Sequence, residues 1–266
     1  QAEDGIRDVE RSRGLGDVYK RQILALLLLC ITLFTILVAP VLSFINILPS
    51  TQSQQYKELA ESITLISEVY ILIFQLFIAF FLLILIPIIW YILVNNCSSK
   101  EAFNRLKLRL ENIDIAFLYG ILAAICMYIL SFLLVFLLQS MGAKISDLSN
   151  IPDIEEMFSP VSMFLLIAVM PVAEEIFFRG FLLDKISSFA GDKFAVFSTA
   201  VLFGIAHMSY AKVFPVLFPI IMGLLLAYIV VKTKNLYSSI IAHVTFNIAA
   251  FVIYFLGKSL VQALIL

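Results

Sequence analysis

The chain is 266 residues long, 62% hydrophobic and only 14% charged, with a mean hydropathy of +1.04. A soluble domain cannot hide that much apolar surface, so the composition points to an integral membrane protein with lipid as its surroundings. A net charge of −1 gives no reason to expect nucleic acid as a partner. Cys30, Cys97 and Cys126 are odd in number and lack metal-site spacing, so no disulfide framework is expected.

Residues 1–22 contain no apolar run and form neither a signal peptide nor a helix that enters a bilayer. They do not begin with Met, and "DVYKRQ", Asp17–Gln22, resembles the translation of a transposon-end adapter from sequencing libraries. This segment is expected to be non-native or disordered, with a polar cytoplasmic tail as the alternative. Fold reasoning therefore starts at Ile23.

A spanning helix needs about 20 mostly apolar residues. Seven segments qualify: Ile23–Leu48, Val69–Val94, Ile113–Leu138, Val161–Leu183, Phe194–Tyr210, Phe214–Val231 and Leu236–Leu256. The tail "GKSLVQALIL" is apolar again and offers the start of an eighth. The predicted fold is an all-α polytopic membrane helix bundle of seven to eight transmembrane helices, one domain over 23–266.

The connections differ in charge. "NNCSSKEAFNRLKLRLENID" carries Lys100, Arg105, Lys107 and Arg109, and "VVKTKN" is also basic, whereas "KISDLSNIPDIEEMF" is mostly acidic. Placing the second, fourth and sixth connections in the cytoplasm satisfies the positive-inside rule. Phe103, Leu106 and Leu110 recur at helical spacing, which predicts a short basic amphipathic segment on the membrane surface.

Ionisable groups are few within predicted spans four to seven: Glu174, Glu175, Arg179 and the chain's two histidines, His207 and His243. A charge at membrane depth costs a few kcal/mol, so such groups are expected to face the bundle interior and to be functional. Glu175 and Arg179 are four apart with the acid first, which predicts a pair on one helix face. Glu174 is turned about 100° away, toward the face of Phe177 and Phe178. It lacks a local cation, and an apolar setting favours its use as a general base. Pro171, one turn earlier, is expected to kink the helix.

In "FGIAH", Phe203 stands four before His207, so the ring can pack beneath the imidazole and orient it. In "HVTFN", His243 and Asn247 are also four apart, presenting an imidazole and an amide that can both donate to a developing oxyanion. Bland readings compete with each of these. Glu175 and Arg179 can be an interhelical brace, either histidine a satisfied core residue, and Asn247 an interhelical hydrogen bond. Their joint occurrence favours a site that activates water.

"EEIFFRG", "FGIAH" and "HVTFN", in that order, resemble the EExxxR, FxxxH and HxxxN motifs of the CPBP family. These are the CAAX proteases and bacteriocin-processing enzymes, also called the Rce1-like or Abi family of intramembrane endopeptidases. The resemblance is strongest over Ser159–Leu256. It implies a helical bundle with a cavity open toward the cytoplasm and membrane, and hydrolysis of a membrane-associated peptide or protein. It further implies that Glu174 activates water with help from His207, that His243 and Asn247 stabilise the oxyanion, and that Glu175, Arg179 and Phe203 support the site. His207 reads as deeper than Glu174 and His243, so the fifth helix must start further out, or tilt, for the three to meet.

Glu174, His207 and His243 are also a possible His2Glu set for zinc. No HExxH helix is present, and a metal-independent glutamic mechanism is the expected one. The competing functions are a proton-coupled transporter and a non-catalytic membrane scaffold or immunity protein. A Phe-, Ile- and Lys-bearing composition suits an AT-rich bacterial gene, so a bacterial plasma membrane with the active site facing the cytoplasm is the expected location.

Overall fold

The computed structural model describes residues 2–45, 47–50 and 53–265. Among these residues six helices are long and apolar enough to cross a membrane: α1 (Val18–Phe44), α3 (Leu65–Leu93), α5 (Ile113–Ser140), α7 (Pro160–Ala190), α9 (Phe214–Thr233) and α10 (Tyr237–Leu260). Shorter helices lie between them: α2 (Gln54–Ser62), α4 (Ser99–Arg105), α6 (Ile151–Glu155) and α8 (Asp192–Ile205). The bundle is all-helical and polytopic, as predicted. Helix extends N-terminally of α1 to Ala2.

Two expected spans come out differently. The fifth is α8, 14 residues long, which at 1.5 Å per residue is about 21 Å and short of the ~30 Å hydrocarbon core. It stops because "AHMSYAK" folds back through a 3-10 turn, Met208–Tyr210, with Ala211 at φ 53°. The tail read as the start of an eighth helix instead continues α10, which runs unbroken to Ile265. A lone glycine such as Gly257 costs a helix about 1 kcal/mol and does not end it.

Bilayer physics explains the exposed surface. Phe117, Leu122 and Phe132 point outward from α5, while Ala116, Gly120 and Ala124 on the opposite face are small or buried. Small residues every fourth position let helices approach closely. A Cβ on Gly120 would lie 2.9 Å from Ile241 and from the Ser238 carbonyl of α10. The α5–α10 contact thus depends on that residue having no side chain.

Three helices contain wider π turns, at Phe34–Val38, Phe80–Leu85 and Ile176–Leu182. The first two stand just ahead of Pro40 and Pro87, whose missing N–H and bulky ring disturb the regular ladder. The third follows the two glutamates of α7. π turns of this kind recur at functional sites.

The basic connection is ordered differently from the predicted amphipathic helix. α4 stops at Arg105, and Lys107 takes a left-handed φ of 60°. Leu106 is consequently buried while Phe103 and Leu110 stay exposed, so the three do not share a face. Asn235 ties this connection to the start of α10. Its side-chain amide donates to the carbonyls of Arg109 and Glu111, its carbonyl oxygen accepts from the Tyr237 N–H, and the Leu236 N–H donates to the Lys107 carbonyl.

These ties set the depth of the site. Gly180 of α7 packs against Leu106 and Leu236, and Glu174 lies six residues before it, about 9 Å deeper. His243 lies seven residues into the bundle from Leu236, at nearly the same depth. α7 continues past Gly180 to Ala190, so α8 starts further out, the first of the two arrangements, an outward start or a tilt, expected from the sequence. His207 then descends to the level of Glu174.

Candidate active site

Residues from α7, α10 and the turn after α8 line one cavity of about 670 Å³. Glu174, His207, His243 and Asn247 all face it. The α7 turn separates the two glutamates by environment. The Glu174 side chain keeps 20% exposure, whereas that of Glu175 has none. Phe177 and Phe178 lie in the packed core with Phe181 and Phe203, not on the cavity wall beside Glu174.

Glu175 and Arg179 form the predicted pair, with Oε1 2.7 Å from Nη1 and both side chains fully buried. The guanidinium lies over the Phe203 ring at 4.2 Å, a contact worth about 2 kcal/mol when dry. Arg179 Nε and Nη2 have no hydrogen-bond acceptor among the described residues. Gly223 of α9 makes room for the group, since a Cβ there would lie 3.3 Å from Nη2 and 2.9 Å from the Ala200 backbone.

Histidine geometry adds what spacing could not supply. His243 Nδ1 is 2.9 Å from Glu175 Oε1, and its Nε2 is 3.9 Å from Glu174 Oε2. A carboxylate oxygen accepts, so Nδ1 carries the proton and Nε2 is turned to the cavity. His207 is oriented in the same way. Its Nδ1 donates to the Phe203 carbonyl at 2.8 Å, leaving its Nε2 lone pair free. Phe203 sits among all three groups, with its ring 4.8 Å from the His207 ring and 5.8 Å from that of His243. Asn247 lines the cavity with no hydrogen bond to its amide among the described residues.

Spacing did not reveal several participants. Tyr210 stacks near His207 with ring centroids 6.3 Å apart and lines the same cavity. Its place three residues after His207 was the only sequence cue. Gly204, inside "FGIAH", allows α8 to touch α9, since a Cβ there would stand 2.2 Å from Ile220 Cγ1. Asp153 and Lys212 form a buried pair at 2.7 Å joining two connections of the bundle. Pro171 lines the cavity within α7, and the helix continues through it.

Two imidazole lone pairs, each with the opposite nitrogen anchored, are chemically suited to a zinc ion. The spacing does not fit. Among the described residues no three His, Cys, Asp or Glu side chains are gathered closely enough to hold one.

Residues 156–249 match the family model described as type II CAAX prenyl endopeptidase Rce1-like. Over this segment the chain is similar to the Rce1-like family. No curated protein and no solved structure matches the chain. The Rce1-like segment, about a third of the sequence, holds all seven predicted site residues. Gln75 of α3 and Tyr128 of α5 lie outside it yet line the same cavity.

Wall residues Tyr56, Asn150, Ile154 and Ser209 carry the cavity to the end of the bundle where the acidic connection lies. The basic connections close the opposite end.

Proposed function

We propose that the protein is an intramembrane endopeptidase that hydrolyses a peptide bond of a membrane-associated protein or peptide. The observation that carries this reading is the convergence of Glu174, His207, His243 and Asn247 on one cavity, together with the Rce1-like family match. A pump would need relays leading to both membrane faces. Here the polar groups end on a buried Arg179.

In this reading Glu174 is the general base. Glu174 Oε2 and His243 Nε2 are 3.9 Å apart, so one oxygen atom can contact both at ordinary hydrogen-bond length. His207, held through Nδ1–H by the Phe203 carbonyl, accepts at Nε2 a hydrogen bond from the other O–H of the water and so aims the water's lone pair. Attack on the scissile carbonyl gives a tetrahedral oxyanion, and Asn247 donates to it from its unoccupied amide. His243 donates from Nε2 only when its ring carries both protons, because Nδ1–H is already committed to Glu175. The Glu175 carboxylate stabilises that imidazolium. The proton taken by Glu174 passes to the leaving amine.

The residues act here without a metal, and the location proposed is a bacterial plasma membrane. Purified protein mixed with a quenched, membrane-anchored peptide tests the reading. Fluorescence release that disappears in Glu174→Ala supports it. Normal turnover in that variant, or substrate-dependent proton flux in proteoliposomes without cleavage, overturns it.

A further inference from the structure

Away from the cavity, the 95–112 connection meets the α9–α10 turn and brings several cations together. The backbones are closely tied. The Leu236 N–H donates to the Lys107 carbonyl at 2.9 Å, and the Asn235 amide donates to the carbonyls of Arg109 and Glu111 at 2.9 and 3.0 Å. These bonds set Lys107, Arg109 and Lys234 around one asparagine. Lys107 and Lys234 both take left-handed backbone, at φ 60° and 55°, a conformation that costs a lysine more than a glycine.

The three cations lack anionic partners. Lys107 is half-buried, yet neither it nor Lys234 makes an ion pair or a side-chain hydrogen bond among the described residues. Arg109 donates to the Asn104 carbonyl at 3.4 Å and to no carboxylate among them. Burial holds the Lys107 ammonium below the usual lysine pKa; Lys234 and Arg109 push it the same way, while Asp184 and Asp192 oppose them. Those two acids are engaged elsewhere. Asp184 accepts from the Tyr91 hydroxyl at 2.7 Å and lies 3.8 Å from Lys185, and Asp192 accepts from Ser187. Glu101 is taken up by the Ser98 cap, and Glu111 and Asp114 form no ion pair among the described residues. A half-buried cation crowded by like charges is costly unless an outside anion joins it.

Depth identifies that anion. α9 ends at Thr233, α10 begins at Tyr237 and α5 begins at Ile113, so the three cations stand just beyond the ends of the spans, where lipid headgroups lie. Phe103 and Leu110 are exposed in the same connection. Apolar side chains there suit the boundary between headgroups and acyl chains and serve no purpose toward a free ion in water.

We propose that Lys107, Arg109 and Lys234 form a binding site for the phosphate of an anionic phospholipid headgroup. The phosphate accepts from two ammonium groups and a guanidinium and supplies the charge they lack. Gly180 of α7 packs against Leu106 and Leu236 beside this site, so a bound lipid clamps the connections that hold α7 and raises thermal stability. Nothing in this rests on the hydrolytic reading.

Native mass spectrometry and thermal unfolding of the full chain in a neutral detergent test the proposal. The probes are dioctanoyl phosphatidylglycerol, dioctanoyl phosphatidylcholine and inorganic phosphate. Phosphatidylglycerol should stay bound and raise the unfolding temperature, whereas the other two at equal concentration should not. In Lys107→Gln/Lys234→Gln the apparent affinity for phosphatidylglycerol should fall by about tenfold or more. Lys100→Gln/Lys193→Gln removes as much charge at exposed positions outside the site and should leave it unchanged. Arg109→Gln alters one exposed side chain, should weaken binding in the same direction, and carries the comparison if the double variant does not fold. Equal retention of the two lipids overturns the proposal. So does an equal loss in the two double variants, which would show diffuse charge attraction only. Inorganic phosphate matching phosphatidylglycerol would mark a soluble-anion site and overturn the lipid assignment.

Discussion

The Nδ1 of His243 lies 2.9 Å from the same Glu175 oxygen that holds Arg179. One buried carboxylate thereby links the floor of the site to its reactive wall. It neutralises a cation, fixes an imidazole and turns the opposite nitrogen toward Glu174.

Removing one member of this buried set should cost more than removing the pair. Glu175→Leu leaves Arg179 uncompensated in a dry environment, a loss of about 3–5 kcal/mol. The double variant Glu175→Leu/Arg179→Leu should recover much of that stability yet remain inactive, because His243 has lost its anchor. Thermal unfolding in detergent alongside peptide cleavage separates the two effects. A double variant with normal turnover would show that the Glu175–His243 bond is dispensable.

Close packing at Gly204 makes a second prediction. A methyl group there meets the Ile220 side chain and the Val216 carbonyl, at 2.9 Å for the latter. Gly204→Ala should therefore cost about 1–3 kcal/mol as an overpacked contact. It should also slow cleavage by shifting the turn that carries His207. Trimming the neighbour with Ile220→Ala should restore part of both losses. Unfolding and initial-rate measurements on the three variants check this.

Acid stability should depend on Glu155 at the end of α6. Burial raises its carboxyl pKa, but bonds from Lys258 and Tyr254 outweigh this and hold it below the usual carboxylate value. A carboxyl group whose folded pKa is depressed contributes stability above its unfolded value, about 4.3. That contribution is lost as pH falls through the lower folded value. Glu155→Gln should flatten the pH dependence of the unfolding temperature below about pH 5. An unchanged slope would show that these bonds do not contribute.

Chelation addresses the metal question directly. The donors are not gathered for a metal ion, so dialysis against a chelator should leave cleavage unchanged. Loss of activity that zinc restores would favour a His2Glu centre instead.

Much of this was legible in the sequence because membrane depth makes polar residues rare. Glu174, Glu175, Arg179, His207, His243 and Asn247 stood out against apolar neighbours, and four-residue spacing correctly paired Glu175 with Arg179 and Phe203 with His207. Contacts between helices were not legible. Nothing in the spacing indicates that His243 takes Glu175 as its close partner, or that Arg179 lies over Phe203. The length of α8 was misread because "HMSY" is apolar enough to extend a hydropathy window, although its backbone turns.

The most direct test of the central claim is hydrolysis in water enriched with oxygen-18. Mass spectrometry of the products should find the heavy oxygen in the newly formed carboxyl terminus for the unmodified protein and no product for Glu174→Gln. Heavy-oxygen product formed by Glu174→Gln at an undiminished rate would contradict the account.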